Sequence, residues 1–141
     1  MAMSIEGGCR CGAVRFTIDA EPASVRACWC RDCQYTASGQ AAINVIFPRA
    51  AFNLTGETAD FISRADSGNV MHRRFCPACG TPLTSEAEVR PGVVVVRAGA
   101  LDRPQDYRPQ ATIWTASAPA WAVIDPDIPS FERQPPPPPQ P

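Results

Sequence analysis

The chain has no lysine and very little histidine. All 13 of its Lys-plus-Arg residues are arginine, His72 is the single histidine, and 14 acidic residues bring the formal net charge to −1. A nucleic-acid binder held by a basic face, or a polybasic membrane anchor, needs a clear excess of positive charge. We therefore expect neither a nucleic-acid partner nor a membrane partner.

Long apolar runs are absent as well. The longest, Val93–Val96, is far shorter than the roughly 20 residues that cross a bilayer. Residues 1–8 contain neither a basic start nor the apolar stretch of a secretory signal. These features favour a cytoplasmic protein, in which cysteines normally stay reduced.

Helix signals are scarce, because the 16 prolines of the chain recur at short intervals and interior prolines break helices. With 141 residues, 45% of them hydrophobic, the chain is long enough for one domain with a core. The patterns predict a mainly β protein with a single helical turn at Asp32–Ser38. The predicted strands include Val14–Asp19, Ala41–Phe47, Val93–Val96 and Thr112–Ala116.

The C-terminus has a different composition. Residues 135–141 are proline except for Gln140, a composition that favours a solvated polyproline II segment over a packed element. We predict a folded domain over residues 1–133 and a disordered, proline-rich tail over residues 134–141.

Cysteine is the residue type that stands out. Clustered cysteines in a reducing compartment indicate a metal site rather than disulfides, and seven is an odd number. The seven fall into three groups: Cys9 and Cys11; Cys28, Cys30 and Cys33; and Cys76 and Cys79.

Two of these groups end in a cysteine followed directly by glycine, at Cys9–Gly12 and at Cys76–Gly80. A glycine can take a positive φ, which turns backbone N–H groups toward the sulfur atoms. Structural zinc sites combine two such short pairs into a closed, four-thiolate tetrahedron. Pairing the first and last groups predicts such a site, which would join the N-terminus to the middle of the chain.

Cys28, Cys30 and Cys33 remain, and three thiolates without a fourth protein ligand leave one coordination position open. An open position is typical of a catalytic metal. Other readings stay open at this point. His72 or an acidic residue could complete a second structural site, the cysteines could pair differently and leave free thiols, or an iron–sulfur cluster could form.

The three groups and their flanking residues resemble one family. The motifs Gly8–Phe16, Cys28–Cys33 and Arg74–Thr81, with Ala98–Asp102 and Trp121 downstream, are similar to those of the glutathione-dependent formaldehyde-activating enzymes. That family also includes centromere protein V. The resemblance extends over roughly residues 5–131 and leaves the proline-rich tail outside.

The resemblance implies a zinc β-tent domain with two zinc ions per chain and a carbon–sulfur lyase activity. In the activity for which the family is named, glutathione adds to formaldehyde and gives S-hydroxymethylglutathione, so a small thiol such as glutathione is the expected partner. Carried over by position, the structural zinc would be held by Cys9, Cys11, Cys76 and Cys79. The catalytic zinc would be held by Cys28, Cys30 and Cys33.

Residues around the middle group are candidates for binding the substrate. Arg26 and Arg31 could pair with a substrate carboxylate, and Trp29 could form an apolar wall. His72 is either a general base or an ordinary strand residue. We expect Trp114 and Trp121 in the core.

Two further functions use the same cysteines. The first is a non-catalytic zinc module that maintains the fold or binds a partner. The second is a redox enzyme of the sulfoxide-reductase kind, which would require a reactive cysteine outside the metal sites.

Overall fold

The computed structural model of the chain describes residues 4–136. Within them it contains ten short strands and one short α-helix, so the predicted mainly β class is confirmed. The strands are β1 (Ile5–Gly8), β2 (Arg15–Ile18), β3 (Ser24–Cys28), β4 (Ala42–Pro48), β5 (Phe52–Thr55), β6 (Ala59–Arg64), β7 (Val70–Phe75), β8 (Pro82–Ala87), β9 (Val93–Arg97) and β10 (Ala111–Ile113). The helix α1 spans Arg31–Thr36, and 3-10 turns lie at Arg49–Ala51, Ala98–Ala100, Pro104–Asp106 and Thr115–Ser117.

The strands form two sheets. The smaller has the order β1-β2-β5, and the larger has the order β10-β3-β4-β9-β8-β7-β6. All neighbouring strands are antiparallel except β10 and β3, which are parallel. Strands that are consecutive in the sequence are therefore mostly adjacent in a sheet. In the larger sheet, β9 lies between β4 and β8.

The main core lies where the inner faces of the two sheets meet. In β2 the side chains alternate, so that Phe16 and Ile18 are buried while Arg15 is exposed. They pack in one cluster with Phe47 of β4, Leu83 of β8 and the buried valines of β9. Burial of each such apolar side chain stabilises the fold by roughly 1.5–3 kcal/mol.

A second, smaller cluster surrounds α1. Trp29 and Trp114 are buried there beside the middle cysteine group. The prediction of a core position is confirmed for Trp114 and wrong for Trp121, which is 64% exposed and meets the Trp29 ring edge-on at 6.4 Å. The residues around Trp121 are mostly alanine, proline and aliphatic, so the local sequence did not distinguish an exposed position from a buried one.

The predicted elements agree with the structure except at one end. β2, β4 and β9 lie within one residue of the predicted strands, and the helical turn is α1. The strand predicted over Thr112–Ala116 ends at Ile113, because Trp114 takes a left-handed φ of 60° and a 3-10 turn follows. β-branched residues favour a strand, so the local sequence did not predict that β10 ends at Ile113.

Residues 137–141 of the predicted tail lie outside the described residues. Closer to the domain, Gln134 accepts a hydrogen bond from the Trp114 indole N–H at 3.2 Å. The domain boundary at residue 133 stays a prediction. In the described part of the chain, no helix has the length and apolar character needed to cross a membrane.

The contact of β1 with the core generates a test. A Cβ at Gly7 would lie 2.4 Å from the Ala100 carbonyl oxygen and 2.5 Å from the Phe16 ring. We expect Gly7→Ala to lower the free energy of unfolding by about 1–3 kcal/mol, because the Ala100 backbone would have to move to make room for the methyl group. Gly99→Ala, where a Cβ meets nothing within 4 Å, is the matched control. Urea denaturation measures both, and equal midpoints would contradict the packing described.

Candidate metal centres

The first centre is formed by four cysteines from two distant loops. Cys9 and Cys11 lie between β1 and β2, and Cys76 and Cys79 lie between β7 and β8. Their four Sγ atoms are all within 4.8 Å of one another, with 3.6 Å between Cys9 and Cys11 and 3.8 Å between Cys11 and Cys76. Bonds of about 2.3 Å to a tetrahedral zinc ion would separate sulfurs by about 3.8 Å. The four thiols therefore fit one closed metal site.

Glycine turns shape both loops, as the sequence predicts. Gly12 and Gly80 have φ values of 84° and 77°, and each donates its N–H to the carbonyl of the first cysteine in its loop. Backbone N–H groups also reach sulfur: Val14 donates to Cys9 Sγ at 3.2 Å, and Ala78 donates to Cys76 Sγ at 3.4 Å. Such donors stabilise thiolates, which are the metal-binding form of cysteine.

The second centre is formed by three cysteines at the junction of β3 and α1. Cys28 ends β3, Cys30 caps α1, and Cys33 lies in its first turn. All three are buried, and their Sγ atoms lie within 4.8 Å of one another. The cap is a sulfur cap, since the Cys33 N–H donates to Cys30 Sγ at 3.3 Å. The short helix thus turns the third sulfur back toward the first two.

A buried arginine faces this centre. The Arg97 guanidinium lies 3.9 Å from Cys33 Sγ and also donates to the Asn44 side-chain oxygen. The Asn44 amide nitrogen lies 3.8 Å from the same sulfur. Arg97 is 7% exposed, and no carboxylate lies within salt-bridge distance of it in residues 4–136. Because an unpaired buried charge is costly, a thiolate at Cys33 would balance the Arg97 charge.

The surroundings shift the pKa values of Cys33 and Cys28 in opposite directions. Hydrogen bonds from Cys28 and Cys30, followed by the Arg97 charge and the Asn44 amide, lower the pKa of Cys33. Hydrogen bonding to Cys30 and Cys33, with burial, raises the pKa of Cys28. Three neighbouring thiolates can form together only if a cation compensates their repulsion. The donor set therefore fits a bound metal ion.

No fourth protein ligand joins the three cysteines within residues 4–136. His72 lies in β7, with Nδ1 2.7 Å from Asp60 and Nε2 2.8 Å from Glu88. Both carboxylates raise the pKa of His72, and they occupy both of its ring nitrogens. The reading in which His72 completes this site is thus wrong, and its contacts are those of a surface ion pair.

The three sulfurs open into a cavity of about 130 Å³. Arg26, which the sequence predicts to bind substrate, lines this cavity. It lies on the same face of β3 as Cys28, two residues earlier in the strand. The other charged lining residues are Arg73, Arg90, Arg97, Asp66 and Glu86.

Trp29 and Arg31 lie outside this cavity. Trp29 directly follows β3 and is buried in the second core cluster. Arg31 donates to Gln34 at 2.7 Å and lies over the Tyr35 ring. Their assignment to substrate stays a prediction, and of the three candidates Arg26 alone lines the cavity.

The arrangement of cysteines agrees with a match between this chain and a known protein family. The sequence profile of the glutathione-dependent formaldehyde-activating enzymes matches residues 4–117, which include all seven cysteines. The chain belongs to this family. The resemblance carried by the cysteine motifs is therefore confirmed.

Two known proteins are similar to this chain. A Halomonas elongata protein, provisionally named a glutathione-dependent formaldehyde-activating enzyme, is 29% identical over 129 residues, or 87% of this chain and 82% of that protein. A crystal structure of a Rhodobacter sphaeroides protein superposes with a TM-score of 0.56 at 21% identity, covering 72% of this chain and 93% of that one. The second likeness shows the fold alone.

Asn44 and Arg97 were not identified from the sequence. They are cross-strand partners in β4 and β9, 53 residues apart. Nothing in either local sequence indicates that the two strands are neighbours, so only the sheet register places both beside Cys33.

We expect the two centres to respond differently to loss of one ligand. Cys76→Ser would open the closed site. A metal ion held there would stabilise the fold, so metal content and melting temperature should both fall sharply. Cys30→Ser should remove metal from the three-cysteine centre and leave the protein folded. Elemental analysis and calorimetry measure both quantities. Equal unfolding of both variants would show that the centres are not distinct.

Arg97 provides a second test. Replacing a group that supports metal ligands typically weakens metal affinity about 10–100-fold. Arg97→Met should do so at the three-cysteine centre, while Arg97→Lys, which keeps the charge, should retain more of the affinity. Competition with a chromophoric chelator measures the affinities of the folded variants. An unchanged affinity in Arg97→Met would mean that its charge does not support the sulfurs.

Proposed function

We propose that the chain is a zinc-dependent carbon–sulfur lyase that acts on a thiol–aldehyde adduct of the glutathione–formaldehyde type. The observation that supports this most is the three-cysteine centre at the end of a cavity, with one coordination position free of protein ligands. A closed four-cysteine centre elsewhere in the same domain can account for structural metal binding. The three-cysteine centre is therefore the candidate for the catalytic role.

Zinc suits both donor sets. All-thiolate sites favour soft or borderline metals, and four thiolates in a tetrahedron are typical of structural zinc. We assign one zinc ion to Cys9, Cys11, Cys76 and Cys79, and a second to Cys28, Cys30 and Cys33. The second ion, when bound, would supply a position at which a thiol loses its proton near neutral pH.

The chain's own residues favour an anionic thiol. Arg26 and Arg90 both line the cavity, and neither side chain has a hydrogen-bonded or ion-paired partner within residues 4–136. Arg73, by contrast, is paired with Asp32 at 3.3 Å. Two unpaired guanidinium groups in the lining of this cavity would attract and orient a carboxylate by charge-assisted hydrogen bonds. A small carboxylated thiol such as glutathione meets this requirement.

The reaction needs no redox partner. In the synthetic direction the substrate sulfur forms a bond to the carbonyl carbon, the carbon–oxygen π bond breaks, and the thiol proton ends on that oxygen. The reverse direction releases the aldehyde and the thiol. All seven cysteines are used by the two centres, so none remains as a nucleophile for sulfoxide reduction. A protein with seven reduced cysteines also suits a reducing, cytoplasmic location.

Thiol binding can be observed directly after cobalt replaces zinc. We expect glutathione to change the sulfur-to-cobalt absorption bands and S-methylglutathione to leave them unchanged. Arg26→Gln should weaken glutathione binding about tenfold or more, since a charge-assisted hydrogen bond is worth roughly 1.5–3 kcal/mol. Arg103→Gln, an exposed arginine paired with Asp106 outside the cavity, is the charge-matched control.

The results of the binding and turnover experiments distinguish the lyase from the non-catalytic zinc module. Turnover is followed by NMR exchange between free and hydroxymethylated glutathione, compared with the rate in buffer alone. Spectra that no thiol changes would favour the non-catalytic zinc module. Thiol binding without acceleration over buffer would leave a thiol-binding centre but exclude this substrate pair.

A further inference from the structure

The C-terminal segment contributes to the cavity at the three-cysteine centre. Gln134 lines that cavity together with Ile113, the last residue of β10, and Trp114, which precedes the 3-10 turn. The family profile ends at residue 117, so Gln134 lies 17 residues beyond the part of the chain that defines the family. This wall of the cavity therefore lies outside the residues that the family profile matches.

Main-chain hydrogen bonds hold the segment in place. It runs along β10, the edge strand of the larger sheet, and forms a parallel bridge between Thr112 and Ser130. The Thr112 N–H donates to Pro129, and the Phe131 N–H donates to Thr112, both at 2.9 Å. Phe131 also packs against the second core cluster. The segment that carries Gln134 is therefore held against β10 by main-chain hydrogen bonds and by the packing of Phe131.

Trp114 is held in an unusual conformation at this wall. Its φ of 60° is left-handed, a backbone state that costs a residue with a side chain roughly 1–2 kcal/mol. The surrounding contacts maintain it: its N–H donates to the Arg133 carbonyl at 3.4 Å, and its indole N–H donates to the Gln134 side-chain oxygen at 3.2 Å. Strain that contacts maintain beside a cavity indicates a functional constraint.

The cavity is small for a ligand site. At about 130 Å³ it lies well below the roughly 300–1,000 Å³ of ordinary small-molecule pockets. Trp114 occupies one side of it, and the Gln134 hydrogen bond fixes the indole plane there. A thiol with a bulky group next to its sulfur would have to displace this indole.

We propose that Gln134 is a specificity-determining positioning residue, which holds the Trp114 indole against the cavity and restricts the three-cysteine centre to thiols that are slender next to the sulfur. The inference rests on the proposed function, because it concerns the ligand of the same centre. It adds a selection by shape to the selection by charge that Arg26 and Arg90 provide.

The test compares two carboxylated thiols, mercaptoacetate and 2-mercaptobenzoate, on the full-length, cobalt-substituted protein. The wild-type chain should prefer mercaptoacetate. Gln134→Ala should reduce that preference about tenfold, the size expected when the fit of a pocket changes by about one small group. Gln134→Glu keeps the acceptor oxygen for the indole N–H and should restore the wild-type preference. A chain ending at Pro136, which retains Gln134, is the second control.

Melting temperature and solvent exchange of the Trp114 indole proton, followed by NMR, complete the design. Gln134→Ala should melt like the wild type but exchange this proton faster, because the acceptor is gone. If both thiols bind with the wild-type ratio in Gln134→Ala, the inference is overturned while the proposed function stands. If no thiol changes the cobalt bands of the wild type, the proposed function and the inference both fail.

Discussion

The rest of the structure depends on the meeting of four cysteine sulfurs between two loops. Cys9 and Cys11 directly follow the first strand of the smaller sheet, whereas Cys76 and Cys79 directly follow a strand of the larger one. Cys9 and Cys76 are also members of the main core cluster. A single ion at this point would join both sheets and close a loop of about 65 residues, which reduces the entropy of the unfolded chain.

The second centre has a different physical character. Its three sulfurs lie at a strand end and a helix start, so local geometry brings them together without closing a long loop. The long-range contribution comes from Arg97 and Asn44, which face Cys33 from two other strands. Three thiolates with one divalent cation would carry a charge of −1, which Arg97 would offset. The centre can therefore be buried without an unbalanced charge and still accept one more ligand.

The cavity above this centre combines two kinds of selection. Arg26 and Arg90 provide positive charge, while Trp114 restricts the space near the sulfurs. These groups come from β3, the loop before β9, and the end of β10, so the cavity forms only when the larger sheet is complete. The family signature lies in the cysteines. The residues that would distinguish one thiol from another lie on other strands and in the C-terminal segment.

The division between sequence and tertiary structure follows from the range of the interactions. Cysteine spacing and the glycines at 12 and 80 act over a few residues, so the sequence alone determined both cysteine clusters and the turns that shape them. Period-two alternation likewise predicted β2, and β-branched and aromatic residues predicted β4. Arg97 beside Cys33, the left-handed Trp114 and the Gln134 contact depend on sheet register and on which strands are neighbours. Strand order is set by burial summed over the whole domain, and no local pattern encodes it, so only the tertiary structure decided which side chains face the open centre.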